Sequence, residues 1–130
     1  MARRPRLLLI DDEPALAAFL ADAARLSAFE PVIATDHHDF REIFRNEPPD
    51  MVAIDLGMPG MDGVELLRFL AEHEAKQPVL IVSGFEPRVV DTAFRLGHEL
   101  GLKMVGPLNK PARLSTLESL LAKVRERLVA

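Results

Sequence analysis

The chain has 130 residues, no Cys, no Trp, no Tyr and a formal net charge of −4. That length fits a single domain over residues 1–130 with a sizeable core; the missing Cys excludes thiol catalysis, Cys-ligated zinc and disulfide scaffolds, and 48% apolar with 28% charged residues excludes disordered and fibrous classes. Residues 11–99 carry seven basic and eighteen acidic side chains, a net of −11, between +3 over residues 1–6 and +4 over residues 103–130, so the acidic body argues against a nucleic-acid surface and the basic end reads as a solvated helix face.

The first element is Arg6 to Ile10, an apolar run halted by Asp11 and Asp12, which predicts a strand buried on both faces. It is too short for the apolar core of a signal peptide, and the longest uncharged apolar stretch, Pro14 to Ala21, is far below membrane-spanning length. The cytoplasm is the expected compartment. From Asp12 the period becomes helical, with Leu16, Phe19, Leu20, Ala23 and Leu26 as a stripe, Asp12 as a cap and Pro14 in the first turn. Pro31 to Ala34 predicts a second strand. Phe40, Ile43 and Phe44 predict a short helix stopped by Asn46 and Pro48-Pro49.

Met51 to Ile54 predicts a third strand, and Asp55 to Gly63, with three Gly and one Pro, a loop. Val64, Leu66, Leu67 and Leu70 open a third helix. Pro78 to Val82 predicts a fourth strand ending at Ser83-Gly84, and Pro87 starts a helix carrying Val89, Val90, Ala93, Phe94 and Leu96. Leu102 to Val105 predicts a weak fifth strand with Gly106-Pro107 behind it. Leu114, Leu117, Leu120, Leu121, Val124 and Leu128 define a last amphipathic helix. Alternation of five strands with five helices predicts an α/β fold, a doubly wound parallel sheet with helices on both faces.

In such sheets sites form beyond the carboxyl ends of the strands. The polar residues there are Asp11 and Asp12 after the first strand, Asp55 after the third, Ser83 after the fourth and Lys110 after the fifth; Thr35 to His38, after the second, could reach the same face. Three close carboxylates repel one another in a desolvated pocket, and a hard divalent cation with oxygen ligands, Mg²⁺, relieves that repulsion. Lys110 and Ser83 suit the oxygens of an anion. Asp55, ending a buried strand, is the natural nucleophile for phosphoryl transfer, which needs positioning and charge neutralisation above all.

Leu8 to Glu13 (Leu-Leu-Ile-Asp-Asp-Glu), Asp55 to Gly63 (Asp-Leu-Gly-Met-Pro-Gly-Met-Asp-Gly), Val82-Ser-Gly84 and Lys110-Pro111 resemble the receiver domain of two-component response regulators, over essentially the whole chain. The resemblance implies a flavodoxin-like strand order 2-1-3-4-5. It implies that Asp55 accepts a phosphoryl group from a histidine kinase or phosphotransfer protein. Asp11, Asp12, Asp55 and the Gly57 carbonyl would hold Mg²⁺, Lys110 would pair with Asp55 or its phosphate, and Ser83 would move toward the phosphoryl group. Lys110-Pro111 would be a cis peptide. The resemblance implies a signalling module rather than an enzyme, limited to self-phosphorylation from small donors and autodephosphorylation and acting on an output partner, without direct nucleic-acid contact or membrane insertion.

Three features depart from the family pattern. Pro107 stands where an aromatic residue is usual, the Ser83–Lys110 interval is long, with its extra length in Phe94 to Leu102, and Gly57 and Phe85 replace polar residues. The long fourth helix also resembles receivers joined to cyclic-di-GMP phosphodiesterase domains. An alternative function is a pseudo-receiver that binds a partner without phosphorylation. An aspartyl phosphatase would need an acid at Gly57, and a flavin site would need a phosphate-cradling loop where Asp11-Asp12-Glu13 stands. His37, His38, His73 and His98 lack metal-ligand spacing and are expected at the surface.

Overall fold

The structure, a computed structural model, describes residues 3–56, 63–84, 87–109 and 113–129. The strands are β1 (Arg6–Ile10), β2 (Glu30–Ala34), β3 (Met51–Asp55), β4 (Pro78–Ser83) and β5 (Lys103–Asn109). They form one parallel sheet in the order β2-β1-β3-β4-β5. The helices are α1 (Pro14–Leu26), α2 (His37–Asn46), α3 (Gly63–Glu72), α4 (Pro87–Glu99) and α5 (Leu114–Val129).

The continuous apolar strands follow from burial on both faces. Leu8, Ile10, Val52, Ile54, Val79 and Ile81 project to one side, where Phe40, Phe44, Leu66, Leu67, Leu70, Val90 and Ala93 of α2, α3 and α4 cover them. Leu7, Leu9, Met51, Ala53, Leu80 and Val82 project to the other, under Leu20 and Ala24 of α1 and Leu117, Leu121 and Val124 of α5. At the amino end of the sheet, the Arg6 amide donates to Asp50 Oδ2 at 2.7 Å and the Asp50 amide donates to the Arg6 carbonyl at 2.9 Å, which sets β1 against β3.

Four expectations need correction. The buried side of α1 is Ala17, Leu20, Ala21, Ala23 and Ala24; Leu26, on the opposite side from Ala17, is 69% exposed. Four alanines and Leu20 fill the buried side while the larger Leu16 and Phe19 are only half-buried, so apolarity alone misplaced the stripe. The cap of α1 is Glu13 rather than Asp12, without a side-chain capping bond.

Helix α2 starts at His37, ahead of its apolar signal. Asp36 Oδ1 accepts from the Asp39 amide at 2.7 Å, and Asp39 Oδ2 accepts from the Thr35 amide at 3.0 Å. That cap places His37 in the first turn on the buried side, contrary to the surface expectation, while His38 stays exposed.

Strand β5 runs past Gly106-Pro107 to Asn109. The register passes from Leu80↔Val105 to Val82↔Leu108, so the extra residue is absorbed in a bulge. Gly106 takes φ +88°, and the Gly106-Pro107 peptide is cis. A proline without an amide donor is tolerated at a bulge on an edge strand.

Candidate functional site at the carboxyl edge of the sheet

The sheet order places β2 and β3 on opposite sides of β1, so the direction in which successive strands are added reverses at the β1–β3 boundary, while all strands stay parallel. A crevice opens beyond the strand ends at such a point. Asp11 and Asp12 directly follow β1, Asp55 is the last residue of β3, and Ser83 is the last residue of β4. Neighbouring strands thus deliver these groups to one edge. Asp55 registers with Val82, and the Leu56 amide donates to the Val82 carbonyl at 3.2 Å, holding the exit of β3 against β4.

Asp11, Asp55 and Ser83 are buried and Asp12 is exposed. One carboxylate oxygen from each of Asp11, Asp12 and Asp55 lies within 4.8 Å of the others. Asp11 Oδ1 also accepts from the Glu13 amide at 3.0 Å, a turn that orients the carboxylate as the chain enters α1. Three carboxylates at this separation, two of them buried, form an all-oxygen donor set suited to a hard divalent cation, and the exposed Asp12 leaves the set open on its solvent side.

The structure therefore brings together Asp11, Asp12 and Asp55, and puts Ser83 on the strand next to Asp55. Gly57, Lys110 and the Lys110-Pro111 peptide lie outside the described residues. Ser83 registers with Asn109, the residue that precedes Lys110 in the chain. Thr35, Asp36 and Asp39 at the end of β2 are engaged in the start of α2. His73 packs its ring 4.2 Å from Phe69. The Glu13 amide is a further site group; its only sequence signal is an Asp, at position 11, whose side chain can accept from the amide two residues on.

Residues 7–122 match the family model for the response regulator receiver domain. The chain belongs to that family. Among curated relatives, this receiver domain is 32% identical to regulatory protein AtoC of Escherichia coli (strain K12) over 93 residues, 71% of this chain and 20% of AtoC. It is 30% identical to the DNA-binding response regulator MtrA of Mycolicibacterium smegmatis over 125 residues, 96% of this chain and 51% of MtrA. The chain thus spans about a fifth and about half the length of these regulators.

Among solved structures, a response regulator from Colwellia psychrerythraea superposes with a TM-score of 0.80 at 26% identity, covering 95% of this chain and 98% of that one. The chemotaxis response regulator CheY4 of Vibrio cholerae shares the fold, with a TM-score of 0.78 at 19% identity over 93% of this chain and 98% of that one. The receiver domain is a module of two-component signal transduction. Among its described residues, no helix is long and apolar enough to cross a membrane.

Proposed function

We infer that this receiver domain accepts a phosphoryl group on Asp55 from the phosphohistidine of a histidine kinase or phosphotransfer protein, in the cytoplasm, and relays that state to an output partner. The observation that carries the reading is the convergence of the Asp11, Asp12 and Asp55 carboxylates within 4.8 Å, with Asp55 buried at the end of β3.

Asp11, Asp12, Asp55 and the Gly57 carbonyl would hold Mg²⁺. When bound, that ion supplies positive charge against both the carboxylates and the incoming phosphoryl oxygens. In the transfer, a carboxylate oxygen of Asp55 forms a bond to phosphorus as the phosphorus–nitrogen bond of the donor breaks. The bonding electron pair leaves with the imidazole nitrogen, and a proton carried on the donor's other ring nitrogen makes the departing imidazole neutral. The buried position of Asp55 limits water near the reacting oxygen, and the fixed end of β3 holds it for in-line approach. Lys110 is assigned to neutralise phosphoryl oxygen charge, and Ser83, one strand over, to donate its hydroxyl proton to another oxygen. Its own chemistry on this reading is limited to taking the phosphoryl group from its donor and losing it to water, which makes the domain a switch rather than an enzyme.

Acetyl phosphate tests the assignment without a kinase. Incubated with it and Mg²⁺, the chain should gain the mass of one phosphoryl group. The adduct should vanish in Asp55→Asn and fall sharply in EDTA. An adduct that persists in Asp55→Asn, or forms equally without metal, would sink the reading.

A further inference from the structure

Met104, the second residue of β5, lies across Gly97 near the end of α4. A Cβ on Gly97 would stand 2.8 Å from Met104 Cε and 3.1 Å from Cγ, and closer still to Sδ. Glycine inside a helix costs stability relative to alanine, and here the buried backbone of Gly97 makes room for the thioether.

That contact joins two elements. The Leu102 amide donates to the Gly97 carbonyl at 3.0 Å and the Gly101 amide to the His98 carbonyl at 3.0 Å, closing α4 with Gly101 at φ +87° and Leu102 buried. The Met104 amide in turn donates to the Leu102 carbonyl at 3.1 Å. Met104 also packs on the apolar layer beneath α2, α3 and α4. The thioether and these backbone bonds together hold the turn from α4 into β5.

The described residues include one other methionine, Met51, which is fully buried in β3. Met104 is half-buried on an edge strand. It borders two open grooves, one of about 670 Å³ toward Phe44, His73 and Pro78, and one of about 660 Å³ toward Leu120 and Val124. The chain has no Cys, so thioethers are the sulfur that a peroxide meets.

We propose that Met104 is a site of reversible oxidation by a peroxide, and that its sulfoxide releases the carboxyl end of α4 from β5. A lone pair on Sδ attacks one oxygen of hydrogen peroxide. The sulfur–oxygen bond forms as the oxygen–oxygen bond breaks, and the second oxygen leaves with both protons as water. Sulfur loses two electrons and the peroxide gains them. A flexible apolar thioether becomes a polar, pyramidal sulfoxide. Its hydration draws the side chain toward the grooves, and Gly97 has no side chain to fill the space left behind. The end of α4 then opens at the bond between Leu102 and Gly97, while the core around the sheet stays closed. Nothing in this step uses Asp55, so the α4–β5 face answers to peroxide independently of phosphorylation.

The test treats the full chain with hydrogen peroxide and reads peptide masses and amide hydrogen exchange on the same samples. Met104 should gain one oxygen atom under conditions that leave Met51 unmodified. Protection over residues 97–104 should fall by about tenfold or more, and over β1 and β3 by less than about twofold. Met104→Leu keeps the volume without the sulfur, so after the same treatment its protection over residues 97–104 should change by less than about twofold. Met104→Ile serves the same end if the leucine variant fails to fold. Methionine sulfoxide reductases should restore the protection of the parent as they remove the oxygen. The proposal is overturned if Met104 stays unmodified until Met51 oxidises, or if its sulfoxide leaves residues 97–104 protected. It is equally overturned if the sulfur-free variant loosens like the parent, or if protection stays low once the oxygen is gone.

Discussion

The carboxylates beyond β1 and β3 show how residue chemistry and stability oppose each other at this site. Asp11 and Asp55 are buried, Asp12 is exposed, and their oxygens lie within 4.8 Å of one another. Without a cation these charges repel, so removing one relieves the folded state while removing a ligand. Asp12→Ala is therefore expected to weaken Mg²⁺ binding by about tenfold or more, while the metal-free Tm holds or rises by a few degrees. Metal titration and thermal unfolding in EDTA check the two halves separately. Unchanged Mg²⁺ affinity would remove Asp12 from the ligand set. Asp11, Asp55 and Ser83 were legible as candidates because each is a polar residue that terminates an apolar run. What could not be read was the Asp11–Glu13 turn, since a two-residue hydrogen bond depends on backbone angles that the residue types only permit.

Helix endings supply the lesson at the scale of elements. Three helices close with the same pair of bonds. The Phe29 amide donates to Ala24 and that of Ala28 to Arg25 after α1; Ala75 donates to Leu70 and Glu74 to Ala71 after α3; Leu102 donates to Gly97 and Gly101 to His98 after α4. Each motif puts one residue at positive φ, Ala28 at 64°, Glu74 at 52° and Gly101 at 87°, followed by a buried apolar residue. Only the last carries the glycine that marks such an ending in a sequence. The burial of Phe29 and Ala75 evidently overrides the backbone cost at Ala28 and Glu74. Ala28→Gly should accordingly stabilise the chain by about 0.5–1 kcal/mol, and Gly101→Ala should destabilise it by about 1–2 kcal/mol. Urea unfolding midpoints would show it, and a destabilising Ala28→Gly would contradict this account of the α1 ending.

The whole molecule has two apolar layers that share one sheet. Phe40 belongs to the layer under α2, α3 and α4, and Leu121 to the layer under α5 and α1. Both are fully buried. Phe40→Ala should cost about 3–5 kcal/mol and Leu121→Ala about 2–5 kcal/mol. Because β1, β3 and β4 contribute alternate residues to both layers, neither can melt alone, and each variant should still unfold in a single transition. Circular dichroism and near-ultraviolet absorbance of Phe followed through the same melt test this; separate midpoints would mean that the layers unfold independently.

Local chemistry in the sequence determined the alternation of strands and helices, the doubly wound class, and the polar residues at the strand ends. Those signals rest on period and on abrupt changes from apolar to charged, which survive without neighbours. Tertiary structure alone decided that alanines rather than Leu26 face the sheet from α1, that His37 turns inward, and that β5 continues through Gly106-Pro107. In each case the deciding factor lay beyond the local apolar period. Four alanines and Leu20 fill the buried side of α1, a side-chain cap rotates the first turn, and a bulge restores the register of Leu108 with Val82.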